Sequence, residues 1–443
     1  MQTTNMTSIY RKAVLITLAT NLLSGCAEQE PVIASDWAVN VGGPAYAGAD
    51  GTMYLADESV EGGNVGRLEA VRGSQDEFLY QSYREGDIEV SRSIANGMYD
   101  ITFHFAEPED IEGGERLFDV VVNDQVAIAG LDVMAQRDGQ IRSGLTVTAP
   151  NVLIEDEKLR VRFDASAGEA LLSALVVRKQ NRPGENWQLV WSDEFDVDGA
   201  PNPDNWNIQE WAPGVVNSED QAYTARSKNI RVEDGHLIVE AFKEDYEGAV
   251  YTSGRIHSAG KQDFLYGRFE ARAKAPKGQG NWAAIWMLPS DPFKYATNCK
   301  DIPDWQGNGD CDAWPNSGEI DILEHVGYLQ GHVHGTVHNR AYYFVNKEQR
   351  QGRVIFDDLS ERFYDYVVEW GPERIDMYVD DTLYFTYMNE NKGWREWPFD
   401  HPFHLIINLA IGGDWGRAGG PIDDSLFPQR LLVDYVRVYQ LEE

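Results

Sequence analysis

The sequence predicts an all-β protein of two sandwiches joined by a short linker, on three observations. Short runs alternate apolar and polar residues with the two-residue period of a half-buried strand: Met98–Phe105 and Phe118–Val122 upstream, His236–Ala241, Phe269–Ala273, Tyr366–Glu369 and Leu432–Tyr439 downstream. Helical periodicity is scarce throughout. Residues 179–186 are polar, contain Pro183-Gly184 and separate the two strand-rich regions, 36–178 and 187–441. With 443 residues there is chain enough for two or three domains, each with its own core. Neither region carries a nucleotide-binding glycine loop or an internal repeat.

At the N-terminus Arg11-Lys12 precedes an apolar run from Ala13 to Leu23, too short to remain as a spanning helix. The run ends in Leu23-Ser24-Gly25-Cys26, which resembles a bacterial lipobox. That resemblance implies a signal peptide over 1–25, cleavage before Cys26 and lipid attachment to its thiol. Ala27 rather than Asp follows, which points to an exported lipoprotein of the outer membrane or cell surface, its only membrane contact an N-terminal lipid anchor. The balance of 38 basic against 72 acidic residues, a formal charge of -34, argues against nucleic acid and anionic membrane surfaces as partners. A neutral glycan sits easily with it. The chain is expected to be a monomer. Once Cys26 is set aside, Cys299 and Cys311 remain in one loop of an exported protein, where a disulfide is expected.

In the upstream region, Ala38-Val39-Asn40-Val41-Gly42-Gly43-Pro44-Ala45-Tyr46 is followed by Leu79-Tyr80-Gln81-Ser82-Tyr83-Arg84, Phe103-His104-Phe105-Ala106-Glu107 and Arg116-Leu117-Phe118-Asp119-Val120. This order resembles a malectin-type domain, a β-sandwich that implies carbohydrate binding through loop aromatics. Tyr54 and Tyr83 are the candidates here. Pro108-Glu109 stand where sugar-binding members carry aromatics, so the alternative is a spacer between anchor and enzyme.

The downstream region contains Glu319-Ile320-Asp321-Ile322-Leu323-Glu324, three carboxylates within six residues of an apolar segment. In a regular strand Glu319 and Asp321 share one face and Glu324 falls on the other. One extra residue, inserted at Leu323, turns all three into the same space, and bulges cluster beside active sites. Two carboxyls held about 5–5.5 Å apart serve a retaining glycoside hydrolase as nucleophile and proton donor. Asp321 between them is placed to hold the pair in unequal protonation states. An isolated ExDxxE is more readily a strand edge with solvated acids; its surroundings decide otherwise.

Those surroundings resemble glycoside hydrolase family 16, in its laminarinase-like branch. The resemblance rests on Trp191-Ser192-Asp193-Glu194-Phe195, Ser253-Gly254-Arg255-Ile256, Tyr266 through Arg272, Trp282 through Pro289, Gly318 through Glu324, His334-Gly335-Thr336-Val337-His338 and Asp434 through Tyr439. It implies a β-jelly roll of the concanavalin A type with an open cleft, Glu319 as nucleophile, Glu324 as acid/base and Asp321 as the assisting carboxylate. It implies sugar contacts from Asn217, Glu219, Arg255, His338 and Asn408, and stacking platforms at Trp282, Trp286 and Trp415, since sugar rings present apolar faces to indole. Trp191, Trp206 and Trp370 are assigned to the core, and His325 to a structural role. Catalysis requires no cofactor. A structural Ca²⁺ is implied at Glu194, Gly235 and Asp434, held by backbone carbonyls and one Asp.

The resulting expectation is a retaining endo-β-1,3-glucanase acting on β-glucan. Another family 16 specificity, mixed-linkage glucan or an agarase- or carrageenase-like substrate, is the nearer alternative. A noncatalytic glucan-recognition protein is the farther one, disfavoured by the presence of all three acids.

Overall fold

A computed structural model describes residues 36–137, 139–179 and 187–441; the leader, Cys26 and linker residues 180–186 lie outside the described residues. Among the described residues each α-helix is a single four-residue turn, and strands carry the architecture.

Four strands form one sheet of the N-terminal sandwich: β1 (Trp37–Asn40), β2 (Gly97–Phe105), β3 (Leu145–Ile154) and β4 (Ala174–Lys179), in the spatial order β1-β4-β2-β3. Alternation puts Ile101, Phe103 and Phe105 of β2 into a core with Phe118, Val120 and Phe163 of the second, six-stranded sheet.

The downstream sandwich is built the same way on a larger scale. Its site-bearing sheet runs β9 (Arg350–Ile355), β8 (His332–His338), β7 (Glu319–Val326), β6 (Asn281–Pro289), β11 (Phe403–Ile411) and β5 (Arg255–His257). Opposite lies a ten-stranded sheet with β10 (Thr382–Met388) at one end. Ala283, Ile285 and Met287 of β6, and Leu405, Ile407, Leu409 and Ile411 of β11, are fully buried against Phe269, Val368 and Val436 of that partner sheet. The remaining face of β6 therefore presents Trp282, Ala284 and Trp286 to the other side. Trp206 and Trp370 lie in the core, with Trp191 packed against it, and Cys299 and Cys311 form a disulfide.

The two sandwiches meet edge to edge. Thr148 of β3 pairs in parallel with Val354 of β9, so one sheet from each half merges into a 12-stranded whole. Without β3, β9 would be an edge strand with a row of unpaired backbone groups, which folded proteins normally cover. Side chains extend the junction. Gln75 donates to the Met388 carbonyl at 2.7 Å and accepts from the Met388 amide at 2.9 Å, and Thr382 donates to Asp100 at 3.1 Å. Both ends of β10 are thus tied to the N-terminal sandwich.

Candidate active site

The bulge in β7 brings the three acids together. Ala284 pairs with Glu324 and Ile285 with Leu323, but Trp286 pairs with Asp321, so Ile322 is the residue left over against β6. Against β8, Asp321 faces Thr336 and Glu324 faces His334, leaving Ile322-Leu323 opposite the single residue Gly335. The insertion falls at Ile322 rather than at Leu323. Its cause is apolar: Ile320, Ile322 and Leu323 all turn into the core. Two consecutive inward side chains shift the alternation by one, and Glu324 rejoins the face of Glu319 and Asp321.

Neighbouring strands complete the face. Strand register sets Arg255, Asn408, Ala284, Glu324 and His334 side by side across β5, β11, β6, β7 and β8. The small Ala284 leaves depth beside Glu324. Trp282 donates its indole N–H to Glu324 Oε1 at 3.1 Å, and Trp286 donates to Asn408 Oδ1 at 2.7 Å. The Trp415 ring lies 5.4 Å from Trp282 and 5.0 Å from His334. The Arg255 guanidinium is sandwiched between the rings of Trp211, at 4.6 Å, and Trp286, at 5.0 Å. His338 Nε2 lies 3.4 Å from Asp321 Oδ2 and 3.8 Å from Glu319 Oε1.

The two remaining expected contacts differ in depth. Glu219 is buried and accepts from Gln221 at 2.7 Å, Tyr223 at 3.1 Å and Asn217 at 3.4 Å, while Asn217 is exposed at the rim. Tyr223 in turn accepts from the Asn408 amide at 3.1 Å. Glu219 therefore anchors a chain of hydrogen bonds leading to Asn408 and Trp286. His325 is buried, and its Nδ1 donates to the His332 carbonyl at 3.0 Å, a structural use.

Three functional neighbours escape the sequence reading. Trp314 donates to Glu319 Oε2 at 3.0 Å, and its ring lies 5.7 Å from His338. Trp211 covers Arg255, and Tyr223 links Glu219 to Asn408. Period-two alternation along Glu219, Gln221 and Tyr223 is a signal that would have found the last. Trp314 and Trp211 sit outside strands, where no periodicity applies.

Burial dominates the electrostatics. It pushes Glu319 up to about 7 and Glu324 up to about 8, and raises Asp321 well above the carboxylate range. Charge repulsion from Glu319 adds to burial for both Asp321 and Glu324, while hydrogen bonds from Asp321 and Trp314 favour ionised Glu319. Glu319 is thus the acid that ionises first, beside a protonated Asp321. Burial lowers His338 to about 4, so the ring is neutral.

Elsewhere, Glu194, Gly235 and Asp434 line one surface hollow with Asp196, Asp234, Arg272 and Arg437. Arg437 holds the Glu194 carboxylate at 2.8 and 3.0 Å, and Arg272 lies 3.2 Å from Asp434. His236 lines the hollow as well, so a hard cation would draw on the oxygen donors among these residues, two of whose carboxylates are already matched by arginines. In the N-terminal sandwich, Tyr54 is 3% exposed and faces a cavity closed by Tyr384 to Met388 of β10, not an open surface; Tyr83 is half-buried.

A sandwich whose open face carries three paired acids between indoles is a glycoside hydrolase scaffold. Comparison with known proteins agrees: residues 217–436 match the glycosyl hydrolases family 16 and residues 35–181 the malectin domain. A beta-glucanase of Rhodothermus marinus is 47% identical over 264 residues, covering 58% of this chain and 87% of that protein. The X-ray structure of the laminarinase from the same organism superposes with a TM-score of 0.53 at 46% identity, covering 59% of this chain and 100% of that one. The crystal structure of SCLam, described as a non-specific endo-beta-1,3(4)-glucanase, gives a TM-score of 0.52 at 38% identity, covering 59% and 94%. The chain belongs to glycoside hydrolase family 16, with a malectin domain ahead of the catalytic one.

Proposed function

We propose that this chain is a retaining endo-β-1,3-glucanase, with Glu319 as nucleophile and Glu324 as acid/base. The observation that carries it is the bulge that gathers Glu319, Asp321 and Glu324 on one face with Glu319 the first to ionise. Ionised Glu319 attacks the anomeric carbon while protonated Glu324 gives its proton to the departing glycosidic oxygen, forming a glycosyl-enzyme and a free chain end. Glu324, now a carboxylate, takes a proton from water. The resulting hydroxide character at oxygen displaces Glu319 and restores both groups. Protonated Asp321 donates to Glu319 and eases its departure as a carboxylate. Trp282, Trp286 and Trp415 hold apolar ring faces, and Arg255, Asn408, His338 and the Glu219–Asn217 pair meet or brace the hydroxyl contacts. No cofactor enters this cycle.

Reducing-end release from laminarin, curdlan, mixed-linkage glucan and agarose tests the reading. Hydrolysis of laminarin and curdlan to short oligosaccharides is expected. A wild type that binds laminarin without cleaving it would overturn the enzyme assignment. Cleavage of mixed-linkage glucan alone would replace the linkage specificity, the second reading favoured by the likeness to SCLam.

The hollow at Glu194, Gly235 and Asp434 we propose as a Ca²⁺ site that stabilises the outer sheet and takes no part in the reaction. Millimolar Ca²⁺ is expected to raise the melting temperature of the wild type and not of Asp434→Asn. An equal rise in both, or none in either, sinks the site.

A further inference from the structure

A bulge is costly where it is buried. The extra residue leaves its backbone out of the ladder, and a buried carbonyl without a donor is destabilising. In β7 that cost bears on chemistry, because removing the bulge would slip the register by one residue and send Glu324 into the core. Something must therefore satisfy the carbonyl at the insertion.

Tyr384 of β10 does so from the opposite sheet. Its hydroxyl crosses the core and donates to the Ile322 carbonyl at 3.2 Å. The ring is almost wholly buried, at 3% exposure. The path is cleared by two glycines paired across strands, Gly335 of β8 and Gly352 of β9. A Cβ on Gly335 would stand 2.4 Å from the Tyr384 hydroxyl oxygen, and one on Gly352 would stand 2.5 Å from the Tyr384 carbonyl oxygen. Gly335 is also the single residue that faces the two-residue bulge. Nothing larger than glycine at either position leaves room for the tyrosine where it lies. The strand that carries Tyr384 is in turn fixed at Thr382 and Met388 by Asp100 and Gln75 of the N-terminal sandwich.

We infer that Tyr384 is a positioning residue for catalysis: its hydroxyl, admitted by Gly335 and Gly352, locks the bulge at Ile322 and so sets where Glu324 stands relative to Glu319 and Asp321. This rests on the assignment of Glu324 as acid/base. The geometry of proton donation is the quantity at stake, and a displacement of about 1 Å is worth roughly 100-fold in rate.

Tyr384→Phe removes the hydroxyl and keeps the ring. Expected is a fall in kcat on laminarin of roughly 10- to 100-fold, with KM within about twofold because the sugar platforms are untouched. In kcat/KM, which reports bond cleavage, the loss should shrink to a few-fold on an aryl β-laminaribioside whose leaving group needs no proton, while kcat there, set by the water step in which Glu324 is the base, keeps its loss. Gly335→Ala, which displaces the same hydroxyl by a different route, should show the same split. Tyr366→Phe removes another buried hydroxyl, one with no hydrogen-bond partner among the described residues, and is expected to behave as wild type. Equal losses in kcat/KM on both substrates, wild-type kinetics for Tyr384→Phe, or a Tyr384→Phe protein that is unfolded at 25 °C would each overturn the inference. In the last case the hydroxyl serves folding alone. An inactive wild type would instead remove the functional reading on which it rests.

Discussion

Replacing Glu319 by alanine is expected to lower kcat on laminarin by roughly 10⁴- to 10⁶-fold, the scale seen when a covalent nucleophile is removed. Binding of laminarin should survive, because Trp282, Trp286, Arg255 and Asn408 lie on other strands and do not depend on that carboxylate. The variant also makes the stereochemistry legible. With the side chain cut back to a methyl, azide can enter beside Trp314 and attack the anomeric carbon from the vacated side. With a good leaving group on the β face, the product is an α-glycosyl azide. Removing Glu324 reverses the outcome: Glu319 still forms its covalent intermediate, azide attacks that intermediate from the opposite face, and the product is β. Polarimetry or NMR of the azides from the two variants separates the roles. The same anomer from both would exclude the division of labour proposed for Glu319 and Glu324. If water inverts the anomeric centre directly in the wild type, the retaining reading fails even with both variants inactive.

Much of this site was legible before any coordinates, for a physical reason. Side-chain alternation is a local property, so Glu319 and Asp321 had to share a face, and Trp282 and Trp286 had to share another strand's face with Ala284. The need for a bulge followed from the third acid. Its position did not, because Ile322 and Leu323 are both apolar and either could be the unpaired residue; the strand partners, Ile285 on one side and Gly335 on the other, decide it. Residues brought in by long-range pairing were out of reach. Trp314 lies five positions before Glu319 in a non-strand segment, and nothing local says that its indole turns back to that carboxylate. Tyr384 reads as an ordinary apolar position of an alternating strand, and its use appears only when two sheets are stacked. The junction of Thr148 with Val354 has the same character: an edge needs a partner, but sequence does not say which strand supplies it.

Glu324→Gln should abolish proton donation while keeping the shape of the site, and its signature is dependence on the leaving group. Loss on laminarin is expected to reach roughly 10³-fold or more, whereas an aryl glycoside with an acidic phenol should lose far less in the bond-breaking step. Wild-type kcat/KM should be bell-shaped, rising as Glu319 ionises near 7 and falling as Glu324 loses its proton near 8. The variant should lose the falling limb and keep the rising one. A stability consequence follows with a definite sign. Burial raises Glu324 above its ordinary 4.5, so the fold favours the neutral acid and the unfolded chain does not. That preference contributes fully below about pH 4.5 and is lost as the pH rises through about 8, where the carboxylate must be charged in a buried site. Glutamine carries no such penalty. The melting temperature of Glu324→Gln relative to wild type should therefore climb between pH 5 and 9 by several degrees, the stability–activity trade expected when a buried acid is kept for its chemistry. A difference that is flat with pH, or that shrinks, would show that Glu324 titrates in the folded protein much as it does in water. Its place as the proton donor at neutral pH would then fail.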